Sequence, residues 1–244
     1  MAGTGPKLGC QSGPSTDEHF AFLARFGVRH VCASPVIKEP GRLCPTVEEL
    51  GQLREMVERH GLSLEMTDSV LLRSTLIDDE RRPAIMLGSS PERDRDIEAF
   101  QQLLRNCAAV GIGTVKYNMS ILGVVRNYEE TGRGGVVYHG WRQDADSSTP
   151  VQTRAGLVDE STYWERIRYF LDRVVPIANE SKVRIACHPH DPGLPAAGYR
   201  GVQCVLGSVD GLETFLSIQE SPYHGLNFCQ GTVCSQLENP SRDI

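Results

Sequence analysis

The sequence predicts an α/β protein of the (β/α)8 TIM-barrel type, with about six of the eight βα units in view. Three observations predict it. Apolar runs of strand length alternate with amphipathic segments of helical period. Short crossovers between them imply a parallel sheet with helices outside. The stretch after the first run, "GCQSGPSTDEHF", lacks the GxGxxG loop of an open dinucleotide-binding sheet. A length of 244 residues suits one barrel domain over 1–244.

The elements follow in order. "KLGC" (7–10) is a short strand, and Ser15 and Thr16 are candidate helix caps with Glu18 behind them as in a capping box. The helix "DEHFAFLARF" ends at Gly27, a residue suited to the left-handed position after a helix. "VRHVCAS" (28–34) is the second strand and 46–61 the second helix, capped by Thr46. "LSLEMTD" (62–68), the helix 92–111 and "TVKYN" (114–118) come next. The helix 161–181, "VRIACHP" (183–189), the helix 209–219 and "GLNFCQG" (225–231) complete the alternation. The sequence after this sixth strand shows no sixth helix, so the expectation is a barrel that is truncated or completed from outside the chain. An unpaired parallel edge there would be an aggregation liability.

Two stretches interrupt the pattern. Residues 71–92 form a loop rich in charge and turn residues, and 119–160 is far longer than the ~2–6 residues of an ordinary βα connection. Insertions after barrel strands commonly form lids or binding loops, because the site lies at the strand C-termini. Tyr128, Tyr138 and Trp141 favour that reading over a solvated, disordered insertion. "GRGG" (132–135) has no Lys and no following helix, so it is a flexible loop element and not a phosphate loop.

Composition narrows the function. Apolar residues are 40% and charged residues 23%, with a net charge of −6. That balance speaks against nucleic acid, which calls for a basic stripe, and against an anionic membrane surface. A small-molecule substrate fits better, and homo-oligomerisation is compatible with the sequence. No run approaches the ~20 apolar residues of a membrane span, and "MAGTGPKLGC" has no leader pattern, so a cytoplasmic location is expected. The eight cysteines show no CxxC or zinc-finger spacing; Cys10, Cys32, Cys107 and Cys187 lie in apolar segments, which suits free thiols in a reducing compartment.

On a barrel, the polar groups at strand C-termini converge on one mouth. His188 ends the fifth strand and Cys229 the sixth, and neighbouring strands lie about 4.8 Å apart, so both side chains could meet one cation. A Cys/His pair selects borderline or soft divalent ions such as Mn²⁺, Fe²⁺, Co²⁺ or Zn²⁺. The plain alternatives are a strand-end His before Pro and a packed Cys. His19, His30 and His60 fall in helices or at strand starts, His139 and His224 in loops, and none receives a role. Of the third strand's carboxylates, Glu65 and Asp68, only Asp68 is near enough to the strand end to reach the mouth.

"CHPHDPG" (187–193) and "SPYHGLNFCQGT" (221–232) resemble the paired signatures of the mannonate dehydratase family, close to HPDDPP and CTG, within the xylose-isomerase-like barrels. "VKYNMSIL" (115–122) is similar to that family's strand-four segment. The resemblance implies a divalent-metal hydro-lyase, with Mn²⁺ or Fe²⁺ expected, that converts D-mannonate to 2-dehydro-3-deoxy-D-gluconate plus water. It places the metal-binding His on His188 and the metal-binding Cys on Cys229; the family's further His and Asp ligands lie on later strands. Three positions depart from the pattern: His190 stands for Asp, Gly193 for Pro and Gln230 for Thr.

For a sugar-acid substrate, Lys116 and Arg200 are candidate carboxylate partners, each with a purely structural alternative. Asn118 is placed to hold a hydroxyl. Asp191, with His190, is a candidate support for His188, or Asp191 caps the following turn. Two rivals remain open: a sugar isomerase or epimerase of the same barrel group, which seldom uses a Cys ligand, and a non-catalytic truncated barrel.

Overall fold

The computed structural model describes residues 7–11, 13–142 and 152–244. Its six parallel strands are β1 (Gly9–Gln11), β2 (His30–Ala33), β3 (Ser63–Asp68), β4 (Thr114–Asn118), β7 (Arg184–His188) and β8 (His224–Leu226). They lie side by side in chain order, β1-β2-β3-β4-β7-β8. An open doubly wound sheet reverses its order at a switch point. Strict succession is the winding of a (β/α) barrel, of which six strands are present.

The helices are α1 (Asp17–Arg25), α2 (Val47–Glu58), α3 (Ala84–Leu87), α4 (Glu92–Val110), α5 (Glu160–Ser181), α6 (Val209–Ser217), α7 (Gln230–Gln236) and α8 (Pro240–Asp243). None is long and apolar enough to cross a membrane. The cap of α1 is Thr16, whose hydroxyl accepts from the His19 amide, while Ser15 donates to the Ser34 carbonyl. Position three of the helix is thus His19, and Glu18 closes no capping box. The box belongs to α2: Thr46 accepts from the Glu49 amide, and Glu49 accepts in return from the Thr46 amide.

Burial along β4 alternates with period two. Val115 and Tyr117 are buried against the helices, whereas Thr114, Lys116 and Asn118 are half-buried on the opposite, inner face. Phe100 of α4 and Phe170 of α5 close on Tyr117 with ring centroids 5.1–5.5 Å apart. This cluster fixes the outer layer behind β4 and β7.

The structure corrects three readings. A helix does follow the sixth strand: α7 begins at Gln230, directly after the short β8. Its seven residues, QGTVCSQ, give no side-chain cap and no long amphipathic period, so the pattern is silent there. The described part of the insertion contains an antiparallel hairpin, β5 (Tyr128–Thr131) and β6 (Val137–Gly140), with "GRGG" at its turn; residues 143–151 of the insertion lie outside the described residues. A Cβ on Gly140 would strike the Tyr128 ring, so glycine lets that ring lie across the hairpin. His139 is accordingly a strand residue, and His224 opens β8, buried, with Nε2 donating to the Phe215 carbonyl at 3.0 Å.

The connection from β2 to α2 is held by one carboxylate. Glu49, with its side chain 6% exposed, accepts two bonds from Arg42, at 2.6 and 2.8 Å, and one from the Lys38 amide at 2.8 Å. These donors, the Arg42 side chain foremost, hold its pKa down to about 2. A carboxylate depressed in the folded state contributes stability above its unfolded value of about 4.3 and loses it as pH falls toward 2. Glu49→Gln is expected to lower unfolding free energy by about 2 kcal/mol at pH 7. Urea melts of both proteins should converge between pH 4 and pH 2.5, and a constant gap across that window would contradict this account.

Candidate functional site

The C-terminal ends of the strands define the site. β4 and β7 pair in parallel with Asn118 opposite His188 and Lys116 opposite Ala186. Alternation therefore stacks Lys116 and Asn118 on the inner face, with Lys116 two residues deeper, about 6.6 Å along the strand. A cleft of about 140 Å³ opens over them. It is lined by Lys116, Asn118, His188, His190 and Asp191, and also by Gln11, Asn227 and Ser120.

Lys116 is the charged group at the floor. Among the described residues its ammonium makes no hydrogen bond and no ion pair. Its register partner on β3, Asp68, accepts from the Ser34 hydroxyl through Oδ2 at 2.9 Å, while the buried Oδ1 has no partner among the described residues. Lys116 acts on its surroundings through its field: burial pushes the neighbouring Cys32 thiol up to about 11, and the nearby ammonium opposes that rise. The ammonium stands in the cleft lining beside the Asp68 carboxylate without forming an ion pair with it.

His188 is oriented by its own backbone. Nδ1 lies 2.7 Å from the Pro189 carbonyl and so carries the hydrogen, which leaves the Nε2 lone pair for an ion or a proton. The orienting group is that carbonyl and not Asp191. Asp191 instead lies 3.6 Å from the Arg126 guanidinium, and its carbonyl accepts from the Val125 amide, tying the loop after β7 to the loop after β4. His190 is 5% exposed, and its Nε2 donates to the Met119 carbonyl at 2.9 Å. The buried Tyr163 hydroxyl donates to the same carbonyl at 2.7 Å. Burial pulls the His190 pKa down to about 4, so the ring is a neutral strut between loops.

Two expected site residues lie outside the lining of the cleft. Arg200, in the loop after β7, is 3.5 Å from Asp78 in the loop after β3. Cys229 lies three residues past the end of β8 at the start of α7, where its sulfur accepts from the Thr232 hydroxyl at 3.2 Å. The helix it opens is packed on the His188 loop. The Gly193 amide donates to Ser235 Oγ at 2.9 Å and Gln236 Nε2 to the His190 carbonyl at 3.0 Å, so closely that a Cβ on Gly193 would collide with the Ser235 carbonyl.

Gln11 and Asn227 escaped the sequence reading because the first strand ends one residue later than "KLGC" and the sixth ends at Leu226. The strand-end rule applied to those boundaries selects both.

His188 and Cys229 have the donor chemistry of a metal pair, yet among the described residues no group of three His, Cys, Asp or Glu side chains converges. A catalytic zinc-type centre takes three protein ligands. The described residues do not complete one. Elemental analysis of the purified chain after incubation with Mn²⁺ and gel filtration tests the pair: the wild type is expected to carry more Mn than Cys229→Ala, and equal content in the two proteins would remove Cys229 as a donor.

A model of the D-mannonate dehydratase family matches residues 23–139 and 140–244. A mannonate dehydratase of Thermotoga petrophila is 30% identical over 226 residues, covering 79% of this chain and 59% of that protein. Mannonate dehydratase 2 of Halalkalibacterium halodurans is 29% identical over 256 residues, covering 93% of this chain and 69% of the relative. The chain thus spans about three fifths of the length of its Thermotoga relative. Among solved structures, mannonate dehydratase from Streptococcus suis superposes with a TM-score of 0.70 at 23% identity, covering 90% of this chain and 62% of that one. A D-psicose 3-epimerase shares the fold with a TM-score of 0.51 at 13% identity, covering 86% of this chain and 56% of its own.

Proposed function

The chain belongs to the D-mannonate dehydratase family, and on that premise we propose that its cleft takes D-mannonate, or a sugar acid of the same class, toward dehydration to 2-dehydro-3-deoxy-D-gluconate and water. The reaction removes the hydrogen on C2, next to the carboxylate, and the hydroxyl on C3; the enol that remains tautomerises to the 2-keto acid. Negative charge builds toward the carboxylate as the proton leaves, so a fixed cation beside that carboxylate lowers the barrier as well as binding the ground state.

The observation that carries this reading is the ammonium of Lys116, unpartnered among the described residues, one layer below Asn118 and His188. Lys116 holds the carboxylate. Asn118 and Asn227, each a donor and an acceptor, hold substrate hydroxyls on either side of His188. His188 presents Nε2 at their level, where it can accept a proton. His190 and Asp191 keep the two loops in place through the Met119 carbonyl and Arg126. Arg200 serves the fold of the rim through Asp78.

His188 and Cys229 stay the proposed donors for a Mn²⁺ or Fe²⁺ ion, although two donors fall short of a centre, and the roles above belong to protein groups alone. That shortage favours a second reading, in which this chain binds the sugar acid without turning it over. Eight free cysteines accord with a reducing compartment, and we place the protein in the cytoplasm.

Titration calorimetry with D-mannonate tests the site. Lys116→Met is expected to weaken binding by about tenfold to a hundredfold, the worth of a charge-assisted hydrogen bond. Unchanged affinity would remove Lys116 from the site. A colorimetric assay for the 2-keto-3-deoxy acid separates the two readings: product with Mn²⁺ supports turnover, and binding without product supports the second.

A further inference from the structure

The cleft is electrically polar from floor to rim. Lys116 lies two residues inside the end of β4, and Asn118 and His188 stand at the strand ends above it. Asp191 lies three residues beyond the end of β7, in the same lining. Lys116 at the floor and Asp191 at the rim bound a middle layer of Asn118, Asn227 and Ser120 together with the His188 imidazole.

Two neighbours bear on those charges. Asp68 faces Lys116 across β3 and β4 but is in no ion pair with it, and its Oδ2 is engaged by Ser34. Arg126 is 3.6 Å from Asp191 without a hydrogen bond between the side chains. Its Nη1 is committed to the Val125 carbonyl at 2.7 Å, and its side chain is 37% exposed. Such a long, solvated pair offsets the Asp191 charge only in part. Asp191 therefore remains the acidic side chain in the cleft lining, with Arg126 outside that lining.

We propose that Asp191 sets both the orientation and the class of the acid that the cleft accepts. This rests on the reading of the cleft as a sugar-acid site. A monocarboxylate enters with its carboxylate toward Lys116 and its polyol tail toward Asp191, where the carboxylate accepts hydrogen bonds from terminal hydroxyls. The reverse orientation sets like charges together at the rim and leaves Lys116 without a counter-ion. A dicarboxylate of the same length, oxidised at both ends, meets that repulsion in either orientation. The cleft thus selects aldonates over aldarates by an unfavourable contact and not by shape, since like charges brought together at an interface disfavour the wrong partner.

Calorimetry with D-mannonate and D-mannarate, at equal ionic strength, tests the proposal. The wild type is expected to bind D-mannonate at least about tenfold more tightly than D-mannarate. Asp191→Asn should narrow that ratio to near one, mostly by improving D-mannarate, and Asp191→Glu should restore it. Equal affinities in the wild type, or a ratio that Asp191→Asn leaves unchanged, overturns the inference while the sugar-acid reading stands. Binding of neither acid overturns both. The wild-type ratio and the Asp191→Glu variant decide the matter even where Asp191→Asn folds poorly.

Discussion

The pairing of β4 with β7 is the constraint on which everything else depends. Five consecutive residue pairs, Thr114 with Arg184 through Asn118 with His188, bring together segments separated by the hairpin insertion and the 22-residue helix α5. One residue of slippage would turn Lys116 and Asn118 into the helical layer and expose Tyr117. That slip is opposed from behind, where Tyr117 and Cys187 are fully buried and Tyr117 is wedged between Phe100 and Phe170. The polar face is thus held in register by the apolar face of the same strands.

Beyond the strand ends, order passes from the ladder to a few shared acceptors. The Met119 carbonyl takes a bond from Tyr163 of α5 and another from His190 of the loop after β7. Three segments far apart in sequence converge on one oxygen. Asp191, with Val125 and Arg126, makes a second tie between the same two loops. The loops that line the cleft beyond the strand ends are therefore tied to one another, which is what positional control of a small ligand asks of a mouth.

The alternation of strands and helices, and the parallel sheet, were legible because each long element carries its own period. The strands at 63–68, 114–118 and 184–188 and the helices at 92–110 and 160–181 stand nearly where apolar spacing and caps put them. That His188, Asn118 and Lys116 line one cleft is legible for a related reason: on a barrel, the end of a strand is a direction in space. Short elements escaped. α7 has no side-chain cap and seven residues, β8 has three, and apolar spacing alone runs that strand on to Cys229, which instead begins a helix. The hairpin was hidden by its composition, since Tyr128–Thr131 faces outward on nearly every residue and shows no apolar alternation. The orientation of His188 by its neighbour's carbonyl has no sequence signal at all.

The contact between Gly193 and α7 gives one departure from the resembled pattern a physical meaning. Where the resembled HPDDPP motif has proline, this chain has a residue with no Cβ and with an amide hydrogen, and it uses both: the backbone of Ser235 occupies the space, and its hydroxyl takes the hydrogen. The identity of residue 193 and the seat of α7 are therefore one variable. A side chain at residue 193 would therefore have to be matched by a shift of α7, and the loop and the helix change together.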